Sequence, residues 1–439
     1  MKLLKSSLVG AAALALASVA MATVSSAPHI YITGSSAFRA ATMTAIANVM
    51  DSGWTYAYDA SSYTGCSRAI IYGTLNTTGH AEVTIKCYWS GSAAGVKTVS
   101  EGQSLTEWMP DTVTLATGST TVASNTNVQG TFTKVAAVPQ IAMSDTAQGL
   151  TPFTANTLET ATKVGVVPFV LVKGVLASGH SMKTSFDGLT NINGTLSQVL
   201  IGSGIKLAQL SGNSADSGRV YVLGRNPESG TRLTTFAETG YGTANPASAQ
   251  VQPTTDTGGA TASSTTGQTI QDIVYFPNGT VNGIFADDGD NGYSSGGTLA
   301  DVLSNQVSAS AVNDVDSGVS FGLIGYLGTS DASRSIKAVN GNTLTDVSRI
   351  LSYNGASLNP TYSTGTQAVT WDYSAVREGK YTFWSYEYLM YDSTLTAPAT
   401  TAANLIAARI LSTDATASGV LISSMNCSRQ VEGGVVTHN

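Results

Sequence analysis

Short apolar runs alternate along the chain with segments in which apolar residues recur at helical spacing. Runs of the first kind predict strands over residues 29–33, 83–89, 135–143, 164–172 and 219–223. Helical spacing of apolar residues predicts helices over residues 37–50 and 299–307. Strands that alternate with helices favour an α/β architecture over a β-sandwich.

Two segments depart from this alternation. Residues 99–133 are rich in Thr, Ser and Val and are interpreted as an inserted set of hairpins. Residues 244–269 are dominated by Gly, Ser, Thr and Pro and are interpreted as a mobile surface loop. The purpose of both insertions is left open by the sequence.

The first 22 residues have the pattern of a secretory signal peptide. Lys2 and Lys5 precede an apolar run over 8–21, and Ala20-Met21-Ala22 is a small-x-small cleavage site. A retained membrane anchor is the alternative, but the run is short for a spanning helix, which needs about 20 apolar residues. No cysteine stands at the cleavage point, so an unlipidated periplasmic or secreted protein is expected.

Composition and charge exclude several classes of protein. The 439 residues correspond to two or three domains, and a hydrophobic content of 42% is enough for a sizeable core. A net charge of −7 argues against a partner that is bound through a basic surface, such as a nucleic acid. With 4 His and 3 Cys, the chain has little material for a zinc cluster, and no metal or cofactor is predicted.

The cysteines leave two alternatives open. Cys66 and Cys87 bracket a short segment and either form a disulfide, which would stabilise the fold by roughly 3 kcal/mol, or are two buried thiols. Cys427 would have no partner cysteine if the other two pair, and its oxidation state is left open.

Four predicted strands end in small polar residues that then open another element. The first loop is Gly34-Ser35-Ser36-Ala37-Phe38, the second is Ser90-Gly91-Ser92, the third is Ser144-Asp145-Thr146, and the fourth runs from Arg225 to Thr231. Helix N-termini expose free N–H groups and partial positive charge, so each loop can bind an oxyanion. The alternative for any single loop is an ordinary helix cap, and for Arg225 a surface ion pair.

The order and residue content of these loops resemble phosphate-binding periplasmic proteins, the solute receptors of phosphate-specific ABC importers. The resemblance extends to residues 196–202, to Gly325-Tyr326 and to the aromatic segment 381–388. Its most specific part is Ser229-Gly230-Thr231, which begins four residues after Arg225. The matching segments are separated from one another, and together they extend over most of the chain after the signal segment.

The resemblance implies a role for each matching residue. Ala37 and Phe38 would offer backbone N–H groups, and Ser92 its hydroxyl and amide. Asp145 would accept a proton from the anion, and Arg225 would make a charged contact. The rest of the anion site would be formed by Ser229, Gly230 and Thr231.

Asp145 also has a physical argument of its own. A carboxylate beside an anion is unfavourable unless the ligand carries a proton to donate, which hydrogen phosphate does and sulfate does not. Asp145 would therefore select phosphate by repelling unprotonated anions.

Two departures from the family pattern weaken the assignment of phosphate as the particular anion. The first loop is one residue shorter than usual. In addition, the acid that usually stands two residues before the Ser of Ser-Gly-Thr is replaced by Pro227, with Glu228 displaced by one position.

The resemblance implies a two-domain α/β fold of the type II periplasmic-binding-protein class, with the ligand cleft between the domains. Domain I would comprise residues 23–166 and 325–439, and domain II residues 167–324. The expected function is capture of hydrogen phosphate by a monomeric, non-enzymatic protein that delivers it to a membrane ABC permease. The alternative is a secreted or surface protein of the same fold with a structural or adhesive role, or one that binds a different oxyanion. A phosphatase is disfavoured because no activated nucleophile or metal set is apparent.

Overall fold

The computed structural model describes residues 24, 26–60, 62–118, 130–154, 156–158, 160–243, 248–255, 267–281, 284–311, 313, 315–316, 318–337, 349–363, 366 and 368–439. The predicted signal segment 1–22 lies outside these residues. No helix within the described ranges combines the length and apolar character that a membrane crossing requires.

The strands up to the middle of the chain are β1 (His29–Gly34), β2 (Thr55–Tyr58), β3 (Arg68–Thr74), β4 (Glu82–Tyr88), β5 (Leu105–Trp108), β6 (Ala116–Thr117), β7 (Val135–Ala137), β8 (Ile141–Ser144), β9 (Thr160–Lys173), β10 (Val175–Leu176), β11 (Asn191–Ile192), β12 (Ile205–Lys206) and β13 (Arg219–Leu223). The remaining strands are β14 (Val251–Thr254), β15 (Thr269–Ile270), β16 (Asp272–Tyr275), β17 (Gly279–Val281), β18 (Ile284–Ala286), β19 (Gln306–Val307), β20 (Phe321–Gly328), β21 (Ile350–Tyr353), β22 (Pro360–Ser363), β23 (Ala368–Trp371), β24 (Trp384–Tyr391), β25 (Cys427–Ser428) and β26 (Thr437–His438). The α-helices are α1 (Arg39–Asn48), α2 (Ser92–Ser100), α3 (Lys183–Asp187), α4 (Gly194–Ser203), α5 (Leu207–Ser211), α6 (Gly230–Thr239), α7 (Gly296–Leu303), α8 (Thr329–Lys337), α9 (Ser374–Arg377) and α10 (Ala399–Ser412).

A mixed sheet of 13 strands, counted over the described residues, organises the fold. Its order is β12-β13-β20-β9-β24-β8-β1-β4-β3-β2-β6, and β21 and β11 join it at β9. The helices pack on this sheet and on one another, as α1 does with α10 and α7 with α8 and β20. The structure therefore confirms the predicted α/β class.

The long strand β9 joins two halves of the sheet. Its first part pairs antiparallel with β24, and its last five residues pair antiparallel with β20. In one half, β1 runs parallel to both β4 and β8; in the other, β13 runs parallel to β20. Since the carboxyl ends of parallel strands meet at one edge, β1, β4 and β8 deliver their following loops to the same place.

Most predicted elements are confirmed, with shifted ends. The segment 219–223 coincides with β13, and the segments 29–33, 83–89 and 164–172 correspond to β1, β4 and β9. Segment 135–143 is divided into β7 and β8 around Pro139, which has no N–H for a ladder. The helix predicted over 299–307 instead begins at Gly296, because Ser295 accepts a hydrogen bond from the Thr298 N–H, and it ends at Leu303.

Aromatic residues of the late segment 381–388 belong to the core. Tyr381, Phe383 and Trp384 are fully buried, and Tyr386 and Tyr388 nearly so. Trp384, Tyr386 and Tyr388 belong to β24, every residue of which is buried, as in a sheet covered on both faces.

The surface loop predicted over 244–269 is wrong for residues 248–255. Gln250 is fully buried, and β14 pairs with β16. The Gln250 amide donates to the carbonyl oxygens of Arg225 and Asn291, so this segment supports the fourth loop. Residues 244–247 and 256–266 lie outside the described residues, as do residues 119–129 of the predicted hairpin insertion, whose described part contains β5 and β6.

The disulfide between Cys66 and Cys87 is absent, and both residues are buried thiols. The Cys66 thiol donates to the carbonyl oxygen of Tyr63 at 3.1 Å, a contact that directs it to the backbone. Burial raises the pKa of Cys66 to about 12 and that of Cys87 well above its usual value, so neither thiol is reactive in the folded protein. Cys427 is also a buried free thiol.

Candidate functional site

Hydrogen bonds join all four predicted loops in one cluster. The Ser35 N–H donates to Met143 O at 2.7 Å, and the Gly91 N–H donates to Gly34 O at 2.8 Å. The fourth loop reaches the second through the Ala93 N–H, which donates to Glu228 O at 2.9 Å. The cluster therefore brings together residues from both halves of the sheet.

Glycine is required where these loops meet. Gly34 and Gly91 have φ values of 122° and 120°, a region that side chains disfavour. A Cβ at Gly34 would lie 2.0 Å from Met143 O, and one at Gly91 would lie 2.9 Å from Glu228 O. Backbone contact this close excludes any larger residue.

Asp145 is at the centre of the cluster and is 1% exposed. The Ser92 hydroxyl donates to Asp145 Oδ1 at 2.5 Å, and the Thr231 hydroxyl donates to Oδ2 at 3.2 Å. The Asp145 N–H donates in turn to Ser92 Oγ, and Thr234 donates to the Asp145 carbonyl oxygen. Asp145 thus connects the second loop to α6.

The alternative of Asp145 as a helix cap is wrong. The third loop does not open an α-helix but leads into a short 3₁₀ turn over Gln148–Leu150. Burial raises the pKa of Asp145, while hydrogen bonds from Ser92 and Thr231 and the nearby charge of Arg225 oppose that rise.

Arg225 is 2% exposed, so the alternative of a surface ion pair is also wrong. Its guanidinium donates from Nε to Tyr293 O and from Nη2 to Ser294 O, each at 3.0 Å. Its backbone N–H donates to the hydroxyl of Tyr326 at 2.9 Å. No carboxylate of the described residues lies within ion-pair distance of it.

Burial lowers the pKa of Arg225, and two carboxylates counteract this, first Asp331 and then Asp145. Asp331 is a residue that the sequence analysis missed. It lies in the first turn of α8, and it supplies the negative charge near Arg225 that Pro227 cannot provide.

Ser229, Gly230 and Thr231 open α6 as predicted. Ser229 caps the helix, since its hydroxyl accepts from the Arg232 N–H. Gly230 packs directly on the carboxylate below it: a Cβ there would lie 1.7 Å from Asp145 Oδ1.

Ala37 and Phe38 are buried at the end of the first loop. The Phe38 N–H donates to the hydroxyl of Ser35 at 3.3 Å, so this amide is occupied. Its ring packs on Gly165, where a Cβ would lie 2.4 Å from the Phe38 ring.

A polar cavity of about 260 Å³ lies next to the cluster. None of the eight predicted site residues lines it, although Ser36 of the first loop does. Among the residues that line it are Ser36, Arg39, Trp89, Ser294, Asp331 and Arg334.

The loop that opens α7 was also missed. Ser294-Ser295-Gly296-Gly297-Thr298 has the same residue types as the predicted loops, and a search for every Ser/Gly run before a helix would have found it. A Cβ at Gly296 would lie 1.9 Å from Asp331 Oδ2. Asp331 itself offered no local signal, because its importance depends on distant residues.

No group of three or more His, Cys, Asp or Glu side chains suited to a metal ion occurs among the residues whose positions are described. In the acidic segment 285–292, the Asp290 carboxylate receives the Arg232 guanidinium at 2.5 Å. That contact holds the segment against α6.

No protein-family model matches the chain, and no curated protein matches it in sequence. Among solved structures, it is similar to a protein from Clostridium perfringens assigned as a phosphate ABC transporter substrate-binding protein with bound phosphate, at 14% identity and a TM-score of 0.41 over 90% of this chain and 99% of that one. An ABC-type phosphate transport receptor from Vibrio cholerae is 12% identical, with a TM-score of 0.40 over 89% and 96% of the two chains. A phosphate binding protein from Stenotrophomonas maltophilia is 13% identical, with a TM-score of 0.33 over 88% and 84%. At these values, any functional assignment has to rest on the side chains of this chain itself.

Proposed function

We propose that the protein is an extracytoplasmic solute-binding protein that captures hydrogen phosphate between two domains, one of residues 23–166 and 325–439 and the other of residues 167–324. The observation that carries this proposal is the buried carboxylate of Asp145, which contacts Ser92 from one half of the sheet and Thr231 from the other. Phosphate would bind at this junction, among the N-termini of α1, α2 and α6.

The charges at the junction suit a protonated anion. Arg225 provides a buried positive charge close to Asp145, which stabilises an oxyanion. Asp145 provides an acceptor for a ligand proton, and it repels an anion that has none. A site that depends on one ligand hydrogen bond in this way can discriminate strongly between similar ligands.

The position of the junction supports a role in transport. Hydrogen bonds from Thr231 to Asp145 and from Ala93 to Glu228 cross between the two halves, so ligand binding there would favour their closed arrangement. A monomer that closes in this way, exported by its leader, would deliver phosphate to a membrane permease without performing chemistry.

One observation favours the second candidate, a secreted or surface protein of the same fold with a structural or adhesive role. Both carboxylate oxygens of Asp145 already accept hydroxyl hydrogen bonds, so the loops are held together without an anion.

Calorimetric titration of the mature protein, first freed of bound anion, distinguishes the two candidates. Phosphate at neutral pH should bind one-to-one and sulfate should not. Asp187→Asn, which changes an exposed aspartate on α3, should behave as the wild type. If neither anion binds to the folded protein, the transport proposal is wrong and the structural role is favoured.

A further inference from the structure

The cavity beside the Asp145 cluster lies between elements from opposite sides of the cleft. Arg39 contributes to it from the first turn of α1, and Ser294 from the loop before α7. Its volume of about 260 Å³ is close to the lower end of small-molecule pockets, which begin at about 300 Å³. A phosphate ion has only five non-hydrogen atoms and would leave much of this space to water.

Two donors in the cavity wall have no acceptor. The Arg39 guanidinium makes no hydrogen bond or ion pair with any residue that the structure describes. Trp89 is 6% exposed, and its buried indole N–H has no hydrogen-bond partner among the described residues. A buried donor without an acceptor costs free energy, so a ligand oxygen at Trp89 would remove that cost. The partly exposed Arg39 would provide a charged donor to the same ligand.

One acceptor in the wall is also unused. Asp331 receives no hydrogen bond from the described residues, although the charges of Arg225, Arg39 and Arg334 act on it. By contrast, the neighbouring carboxylate of Asp301 is bound by Arg334 at 2.7 Å and 2.5 Å. The wall therefore offers donors through Arg39 and Trp89 and an acceptor through Asp331, a combination that suits hydroxyl groups.

Arg225 contacts the cavity wall without lining the cavity itself. Arg225 donates to the Ser294 carbonyl oxygen at the cavity, and its charge acts on both Asp331 and Asp145. Arg225 thereby relates the proposed phosphate position to the cavity wall, through its contact with Ser294 and its charge.

We propose that the ligand is a phosphate monoester with a hydroxylated organic part. Its phosphoryl group binds at Asp145 and Arg225, and its hydroxyl groups bind in the cavity to Arg39, Trp89 and Asp331. This inference rests on the proposed phosphate-binding function and names the ligand class of the same site.

Titration with glycerol 3-phosphate and with inorganic phosphate, each on the full mature protein, tests the proposal. Glycerol 3-phosphate should bind at least tenfold more tightly than phosphate. Arg39→Ala should weaken glycerol 3-phosphate binding at least tenfold more than it weakens phosphate binding, and Trp89→Phe should do so to a smaller degree. Lys380→Ala removes a charge from an exposed position that does not line the cavity, and should change neither affinity.

The two proposals fail in different ways. If phosphate binds but glycerol 3-phosphate binds equally or more weakly, the monoester inference is overturned and the phosphate-binding function stands. If glycerol 3-phosphate binds more tightly but Arg39→Ala reduces both affinities alike, the cavity assignment is overturned. If neither compound binds, the phosphate-binding function itself is wrong.

Discussion

Two carboxylates in this protein occupy equivalent positions at helix N-termini and differ in what surrounds them. Asp145 lies against Gly230, the first residue of α6, and Asp331 lies against Gly296, the first residue of α7. In each case a Cβ on the glycine would come within 2 Å of a carboxylate oxygen, at 1.7 Å and 1.9 Å. The charge of Arg225 interacts with both carboxylates.

The difference lies in the hydroxyl groups. Ser92 and Thr231 donate to the two oxygens of Asp145, whereas Asp331 receives no hydrogen bond from the described residues and faces a cavity. The same backbone arrangement thus yields a closed contact in one place and an open polar space in the other. Hydroxyl groups from both halves of the sheet decide which of the two forms.

The largest expected effect comes from adding one methyl group at each glycine. Gly230→Ala should reduce the free energy of unfolding by about 3 kcal/mol, because Asp145 is held by two hydroxyls and cannot move. Gly296→Ala should cost about 1 kcal/mol, because the cavity gives Asp331 room to shift. Urea unfolding of both variants measures the difference, and equal costs would contradict the distinction between a closed and an open site.

A second test removes the residue that the two carboxylates share. Arg225→Ala should weaken phosphate binding by about 2–3 kcal/mol, because it removes a charged partner from a buried anion. Arg225→Lys keeps the charge but loses the fixed planar arrangement in which Nε and Nη2 donate to Tyr293 O and Ser294 O, so it should recover only part of the affinity. Calorimetry on folded variants provides the measurement, and a loss below about 0.5 kcal/mol for Arg225→Ala would remove Arg225 from the site.

A third test concerns selectivity and pH. Asp145→Asn should reduce the preference for phosphate over sulfate at least tenfold, about 1.4 kcal/mol, because the amide no longer repels an unprotonated anion. Since burial raises the pKa of Asp145, the wild-type carboxyl becomes protonated at a higher pH than a free aspartate. Sulfate binding to the wild type should therefore increase as pH falls through that raised pKa.

The variant supplies the control for this pH effect. Sulfate binding to Asp145→Asn should lack the rise, because its amide does not titrate in this range. Competition titrations at a series of pH values would show both effects, and unchanged selectivity in the variant would place the anion away from Asp145.

The smallest expected effect concerns a second carboxyl group near each of the two aspartates, Asp301 near Asp331 and Glu387 near Asp145. Asp301, near Asp331, is neutralised by Arg334, whereas no cation among the described residues forms an ion pair with the fully buried Glu387, near Asp145. Burial, followed by the charge of Asp145, raises the pKa of Glu387 well above its usual value. A carboxyl group whose pKa is raised on folding contributes to the free energy of unfolding. This contribution is fully present below the unfolded-state pKa of about 4.3, and it is lost as pH rises through the folded-state pKa.

Glu387→Gln should consequently stabilise the protein by about 1 kcal/mol at pH 8 and have little effect at pH 4. Chemical unfolding at the two pH values measures this, with Glu378→Gln as a control at an exposed position. If the variant is less stable than the wild type at pH 8, favourable interactions in the folded protein must offset the cost of burying the charged Glu387 carboxylate.

Much of the local structure could be predicted from the chain. The strand over 219–223 and the α6 start at Ser229-Gly230 follow from short-range patterns, the first from apolar residues and the second from a cap. Asp145 and Arg225 were recognised from loop content and from the resemblance, and the structure places both in a buried cluster. Arg39 and Asp331 were missed, because an arginine at the start of a helix and an aspartate in the first turn of another are common surface features.

The sequence by itself determined the α/β class, the strands and the small polar residues that follow them, because apolar periodicity and helix caps depend on neighbours a few residues apart. Only the tertiary structure decided which polar groups find partners. Ser92, Asp145 and Thr231 meet because β4, β8 and β13 deliver their loops to one place, whereas no hydroxyl of the described residues donates to Asp331. Pairing between residues far apart in the chain depends on sheet order and on which side chains are buried together. Neither of these produces a periodic pattern in the sequence.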